Sequence, residues 1–447
     1  MTMQYSCSIY VYLPAMIMNM MNKATVLFIL AIPMISWAQP TGSGVTDDDL
    51  QLNTITTAVP FMAITPDSRA GGMGDAGTAL SANSNSVYWN TSLLNFAKEK
   101  SELSLSYTPW LRQLTNDIHL SYLSGYYRVN ERHAVGGALR FFSLGEITFT
   151  DASGNVIRDD KPSEFEITGA YAFRLSERMS IGINGKFAYS NLTGGLTVAG
   201  VSTKAGVVGA TDLSFSYYND DARIGGTNGV YTFGATINNI GNKIAYSDLA
   251  AADARDFIPM NLKIGNSFKA EFDKYNDLVF SLDVQKLLVP TPAYYDFVDG
   301  DYTLIAGRSD NVGVISGLVQ SFYDAPGTPV KDEAGDYVQN ADGSFEVAKG
   351  TRFKEELAEI NLAAGMEYWY NNVLALRGGF FYENKNKGNR QFFNAGVGFK
   401  YNMFGIDISY LAALGGRQSP LANTLRFTLR LNLGAKAEAE SSDAKPQ

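Results

Sequence analysis

The feature that most constrains this chain is a period-2 alternation of apolar and polar residues, repeated from Ser101 onward. Its cleanest instance is the last: Leu425, Phe427, Leu429, Leu431 and Leu433 alternate with Arg426, Thr428, Arg430 and Asn432. Successive side chains of a strand point to opposite faces, so this segment has one apolar and one polar face. The same parity recurs at Phe165, Ile167, Gly169, Tyr171 and Phe173, and at Ile181, Ile183, Gly185, Phe187 and Tyr189. It recurs again at Ile360, Leu362, Ala364, Met366, Tyr368 and Tyr370, at Phe393, Ala395, Val397, Phe399 and Tyr401, and at Phe404, Ile406, Ile408 and Tyr410.

Fourteen such runs are found, near 102–109, 117–129, 133–144, 164–175, 179–190, 209–218, 228–239, 258–270, 275–287, 356–370, 373–383, 389–401, 404–412 and 423–434. An even number is what a single-chain bacterial barrel requires. The connections alternate in length as well. Tight turns are expected at 130–132, 176–178, 371–372 and 402–403, with the sixth and eighth connections slightly longer. Long connections are expected at 145–163, 191–208, 240–257, 288–355 and 413–422. Short periplasmic turns and long extracellular loops give this rhythm, which places both termini in the periplasm. The expectation is therefore an all-β fold: a 14-stranded antiparallel transmembrane β-barrel over 101–434, with an N-terminal plug segment over 39–100 and long extracellular loops.

The loop at 288–355 is too long to be structureless inside a compact fold. Val312, Ile315, Leu318, Val319 and Phe322 have helical spacing, and 334–348 reads as a hairpin turning at Asn340 to Gly343. The tail 435–447 is Ala, Glu, Ser and Lys without apolar periodicity and reads as a disordered periplasmic segment.

The one apolar run of note, 24–37, is too short for a bilayer-spanning helix. Lys23, the run 26–35 and the small-x-small site Ser36, Trp37, Ala38 describe a signal peptide over 1–38, with Met21 as the start and the residues before it an over-extension. Its removal takes away Cys7, the only cysteine, so no disulfide or thiolate metal site is expected. Tyr (25) and Phe (26) are abundant, as aromatic girdles require, and the net charge of −9 argues against nucleic acid as a partner.

Gly72, Gly74 and Gly77 satisfy the spacing of a dinucleotide fingerprint, but no buried strand precedes them and no acidic ribose partner follows. A glycine-rich bend packed inside or under the barrel explains them better. Asp151, Ser153, Asn155 and Asp159 fall at calcium-loop positions, yet Val156 and Pro162 stand where glycine and glutamate are needed, so a hairpin turning at Ser153 and Gly154 is expected. His119 and His133 have no third ligand in sequence and read as wall residues. No nucleophile elbow occurs, so neither a catalytic site nor a cofactor or metal is expected. The aromatic segments Tyr294, Tyr295, Phe297 and Phe322, Tyr323 sit in the longest loop, where they serve equally as interface girdle or docking surface.

The run Ala58 to Phe61, then Ile64, Thr65, Pro66, Asp67, Ser68, Arg69, Ala70, Gly71, Gly72, Met73, Gly74, Asp75, Ala76 and Gly77, then Val87, Tyr88, Trp89 and Asn90, resembles the PorV (LptO) family. Members are outer-membrane proteins of the type IX secretion system of Bacteroidetes. The resemblance continues through Glu146, Ile147 and 150–155 in the second outer loop and through 317–327 in the fifth. This family is similar in turn to FadL-type channels, which implies a plug built on Asp67, Arg69, Gly71, Gly72, Gly74, Asp75, Gly77, Trp89 and Asn90. Thr91 and Ser92 follow Asn90 where FadL-type chains carry Asn-Pro-Ala, which speaks against a fatty-acid exit at that motif.

The resemblance implies a non-enzymatic shuttle. It takes cargo proteins bearing a C-terminal secretion signal domain from a SprA/Sov-type translocon to a PorU-type sortase attachment complex, in contact with outer-membrane lipid. The expected docking residues are Tyr294, Tyr295, Phe297, Ile315, Leu318, Val319, Phe322 and Tyr323. The rival readings are a FadL-like channel for hydrophobic small molecules and an enzyme acting on lipopolysaccharide acyl chains.

Overall fold

The computed structural model describes residues 52–112, 115, 117–150, 153–195, 197–198, 201–247, 255–298, 300–414 and 424–434. The expected signal peptide, Cys7, Asp151 and the tail 435–447 lie outside the described residues.

Fourteen strands close a barrel: β1 (Ser101–Pro109), β2 (Ile118–Arg128), β3 (His133–Leu144), β4 (Ser163–Arg174), β5 (Met179–Asn191), β6 (Gly206–Ile224), β7 (Thr227–Gly241), β8 (Asn261–Glu271), β9 (Asn276–Leu287), β10 (Ile360–Tyr370), β11 (Leu374–Tyr382), β12 (Gln391–Tyr401), β13 (Phe404–Ala413) and β14 (Thr424–Asn432). Spatial order follows chain order, and β1 closes on β14 in a register running from Glu102 opposite Asn432 to Tyr107 opposite Phe427.

Burial follows the alternation. In β5, Ile181, Ile183 and Phe187 are exposed, while Ser180, Asn184, Lys186 and Ser190 are buried. Leu105, Leu139, Ile167, Leu282, Leu376 and Ile406 repeat this on other strands, so the outer surface is apolar and the inner one polar. Such a wall suits hydrocarbon outside rather than water, the arrangement of an outer-membrane barrel.

Most differences from the expected strands are at their ends. β6 runs well past the expected 218, and its hairpin with β7 turns on Gly225 and Gly226 with φ of +58° and +84°. Two positive φ angles are what a tight I′ hairpin turn needs, so this connection is as short as the other turns. The expected tenth strand, 356–370, begins instead as a helix (Thr351–Ala358), because Glu355, Glu356 and Glu359 are drawn into ion pairs above the wall. The connection 145–163 is a hairpin (Ile147–Thr150 with Val156–Asp160) with Gly154 at φ +82°, as its sequence suggested.

The segment before β1 fills the lumen. It contains a 3-10 turn (Pro60–Ala63), helix α1 (Ser68–Gly72), helix α2 (Ser86–Trp89) and a second 3-10 turn (Thr91–Phe96). Its direction can be read from its two ends. Asn53 N donates to Asn386 O at 3.0 Å, its Nδ2 to Pro292 O at 3.0 Å, and Ala58 N to Phe257 O at 2.9 Å, all on connections at the end away from the tight turns. At the other end Arg128 N donates to Lys100 O at 2.8 Å, and Leu433 N to Ser101 O at 3.1 Å. The segment therefore threads the whole barrel. The first described residues lie at the long-loop end, opposite to the end where β14 finishes, and the N-terminus itself lies outside the described residues. The side chain of Asn53 holds this end by bonding Pro292 O and Glu355 Oε1.

Candidate functional site

The plug is held by side chains that look inward from the wall. Asp67 caps α1, its Oδ2 accepting from Ala70 N at 3.0 Å, and its Oδ1 accepts from Trp89 Nε1 at 2.7 Å, so one buried carboxylate joins both motif segments. Gly74 sits at φ +71°, where a Cβ would meet Phe380 N at 2.4 Å and Phe380 O at 2.7 Å, and a Cβ on Gly77 would enter the Trp89 ring. The glycines are there because plug backbone lies directly on wall backbone and on the indole. Asp283 Oδ2 accepts from Gly77 N at 2.9 Å and Thr78 N at 2.8 Å. Asn394 Nδ2 donates to Gly71 O, and Asn90 Nδ2 donates to Thr78 O at 3.0 Å. Gly72 packs its Cα on Gly396, and Asp75 pairs with Arg426 at 3.1 Å.

Arg69 starts a chain of buried charges. Its Nε and Nη2 donate to the two Glu367 oxygens at 2.9 and 2.7 Å, and Arg377 Nε donates to Glu367 at 2.7 Å. Arg377 Nη1 lies 2.8 Å from Asp407 Oδ1, close enough for the charges to attract but out of line for a hydrogen bond. Arg430 Nε donates to Asp407 at 2.8 Å, and Arg430 faces Glu102 at 4.0 Å. Glu102 accepts from Ser84 N at 2.9 Å and Ser84 Oγ at 2.7 Å. The ladder leaves the plug at Arg69, crosses β10, β11, β13, β14 and the closing seam to β1, and returns to the plug at Ser84.

At the long-loop end a cap covers the lumen. It consists of the hairpin Tyr294–Val298 with Asp301–Ala306, helix α3 (Val314–Gln320), a bridged arm over 328–348 and helix α4 (Thr351–Ala358). Lys387 bonds Glu355 at 2.7 Å and Glu359 at 3.0 Å, Lys286 bonds Glu359 at 2.6 Å, and Asn53 Nδ2 bonds Glu355 at 3.1 Å. Asp324 accepts from Thr291 N at 3.1 Å, and burial pushes its carboxyl up to about 6, with Glu359 and Glu356 adding to the rise. The cap is thus tied to the plug's leading residues. Beneath it lies a cavity of about 680 Å³ walled by Trp89, Phe381, Phe392 and Leu411 and by Asp75, Lys263 and Arg426.

The structure divides the eight expected docking residues between two elements. Ile315, Val319, Phe322 and Tyr323 are exposed on and just after α3, while Leu318 turns inward onto the apolar cluster around Phe257. On the hairpin, Phe297 is exposed, Tyr295 stacks on Tyr302 with centroids 5.4 Å apart, and Tyr294 lies half-buried with its hydroxyl 3.1 Å from that of Tyr337. Sequence reading missed the ladder residues Glu367, Arg377, Asp407, Arg430 and Glu102, and the cap ion pairs of Lys286 and Lys387. The available signal was charges of both signs at inward-facing parity on nearby strands.

No curated protein matches the sequence. Among solved structures the chain is similar to the Pseudomonas putida toluene transporter TodX (11% identity, TM-score 0.45, covering 85% of this chain and 98% of that one). It is also similar to a Pseudomonas aeruginosa FadL homologue (10% identity, TM-score 0.39, covering 85% and 99%). The family model described as type IX secretion system protein PorV matches residues 47–294. The chain belongs to the PorV family of the type IX secretion system.

Proposed function

We propose that this barrel is the cargo-handling component of its secretion system. It binds cargo proteins through their C-terminal signal domain, receives them from a SprA/Sov-type translocon and passes them to a PorU-type attachment complex. The long-loop end faces outward from the cell, and the carboxyl-terminal tail lies in the periplasm.

The observation that carries this reading is the outward face of α3. Ile315 and Val319, followed by Phe322 and Tyr323, are exposed in a row, while Gly317, Leu318 and Gln320 hold the helix from beneath. An apolar row that is fixed in place yet left open marks an interaction site rather than a loose loop. The plugged lumen supports the same reading, since wall side chains hold the plug in place and the long loops are left as the exposed surface. The cavity under the cap favours a channel for hydrophobic small molecules as a second reading. Charged Asp75, Lys263 and Arg426 on its walls suit a hydrophobic passenger poorly.

Replacing Ile315, Val319 and Phe322 together by serine is expected to lower cargo capture by tenfold or more in pull-downs of membrane-extracted protein. The barrel should keep its folded gel mobility. Unchanged capture by a folded triple variant would remove the reading.

A further inference from the structure

The cap also holds an open slot of about 790 Å³. One wall is Thr303, Leu304, Ile305, Ala306 and Gly307; the other is Gly343 to Gly350, with Arg352 and Phe353 at its end. Consecutive residues line both walls, so the slot borders the edge of each segment and not one face. The strand Asp301–Ala306 belongs to a sheet of only two strands, which leaves its second edge unpaired.

The opposite wall has the same property. Glu346 N donates to Val338 O at 2.8 Å, Val330 N to Glu346 O at 2.9 Å, and Ala348 N to Thr328 O at 2.9 Å, so even-numbered residues serve the arm's inner side. In an antiparallel pair the intervening residues turn their N–H and C=O the other way. Phe345 and Val347 therefore offer theirs on the slot side, and among the described residues no backbone hydrogen bond joins the two walls. Gly343 and Gly350, both at φ +82°, bend the chain away at each end and fix the length of the open edge.

We infer that this slot binds one extended peptide segment of an exported protein by β-strand addition between the two walls. An unpaired edge selects an extended backbone over a helix. The charge of the occupant follows from the lining: Lys349 and Arg352 stand at one end against the single Glu346, so the segment carries an acidic residue where it meets them. Leu304 and the exposed Phe353 accept its apolar side chains. This deepens the cargo reading above and rests on it.

The test uses the full-length barrel in detergent and a fluorescent peptide of alternating valine and threonine that ends in glutamate, followed by anisotropy. Saturable binding is expected. Methylating alternate peptide nitrogens should weaken it at least tenfold, and lysine in place of glutamate about fivefold. Val347→Pro removes a slot-facing N–H and should also cost about tenfold; Arg352→Glu, at an exposed position in the first turn of α4, should reverse the preference between the glutamate and lysine peptides. Equal binding of methylated and unmethylated peptide, or indifference to Arg352→Glu, would overturn the slot. If cargo capture survives Val347→Pro and Arg352→Glu but is lost in the triple serine variant on α3, the slot is refuted while the cargo reading stands.

Discussion

At the scale of single residues, Gly74 and Gly378 show why the glycine-rich run is placed where it is. A Cβ on Gly74 would strike the backbone N and O of Phe380 and would hold a left-handed φ of +71°; a Cβ on Gly378, a few residues along the same wall, would meet nothing within 4 Å. Strand Gly379 completes the contact, since its own Cβ would lie 2.0 Å from Gly74 N. Gly74→Ala should therefore push the plug off the wall at a cost of about 1–3 kcal/mol from overpacking alone, and Gly378→Ala should be close to neutral. Hydrogen exchange over 70–77 in the folded barrel measures this, with faster exchange expected for the first variant only. The motif was legible in sequence because glycines leave a visible pattern. Their partners were not, because Phe380 and Ala364 are set opposite Gly74 only by barrel register.

At the scale of elements, the strands were legible nearly residue by residue and the cap was legible only in part. Alternation is a local property, so β5 and β14 can be read directly. The helix α3 also showed in its spacing, although Leu318 turned out to be its anchor and not part of its open face. Helix α4 was hidden inside an apparent strand because its glutamates bond to Lys286 and Lys387, whose positions depend on the closed barrel. Asp324 gives the cap a pH dependence. Its folded-state value, about 6, lies above that of an ordinary aspartate, so the folded cap favours the protonated form. Its contribution to cap stability is full below the ordinary value and is lost as pH rises through 6. Exchange protection around Thr291, corrected for intrinsic rates, should fall between pH 5 and pH 7.5 in the parent protein. In Asp324→Asn, which keeps an acceptor for Thr291 without the charge, protection should stay level across that range.

At the scale of the whole molecule, plug and barrel are one folding unit because each completes the other's charges. The ladder from Arg69 to Ser84 lies where no water can replace a lost partner: the side chains of Glu367, Arg377 and the Asp407 end are fully buried. Glu367 is its branch point, accepting from the plug through Arg69 and from the wall through Arg377. Replacing it by alanine takes the shared carboxylate from two buried guanidinium groups at once, leaving Arg377 only Asp407 and Arg69 only Ser81, and removal of one partner of a buried pair costs about 3–5 kcal/mol. Replacing Arg69 and Glu367 together by methionine removes the plug's charge with its partner, while Arg377 keeps Asp407. The double variant is therefore expected to recover most of the stability that Glu367→Ala loses. Urea unfolding in detergent, followed by gel mobility and by Trp89 emission in a background with Trp110 and Trp369 replaced by phenylalanine, separates these outcomes. If plug and barrel unfold together in the parent but the Trp89 signal is lost first in Glu367→Ala, the ladder is what makes them cooperative. If Glu367→Ala unfolds as the parent does, the hydrogen bonds that Asp283, Asn394 and Arg426 make to the plug suffice to hold it, and the ladder's place is only to neutralise the inner wall.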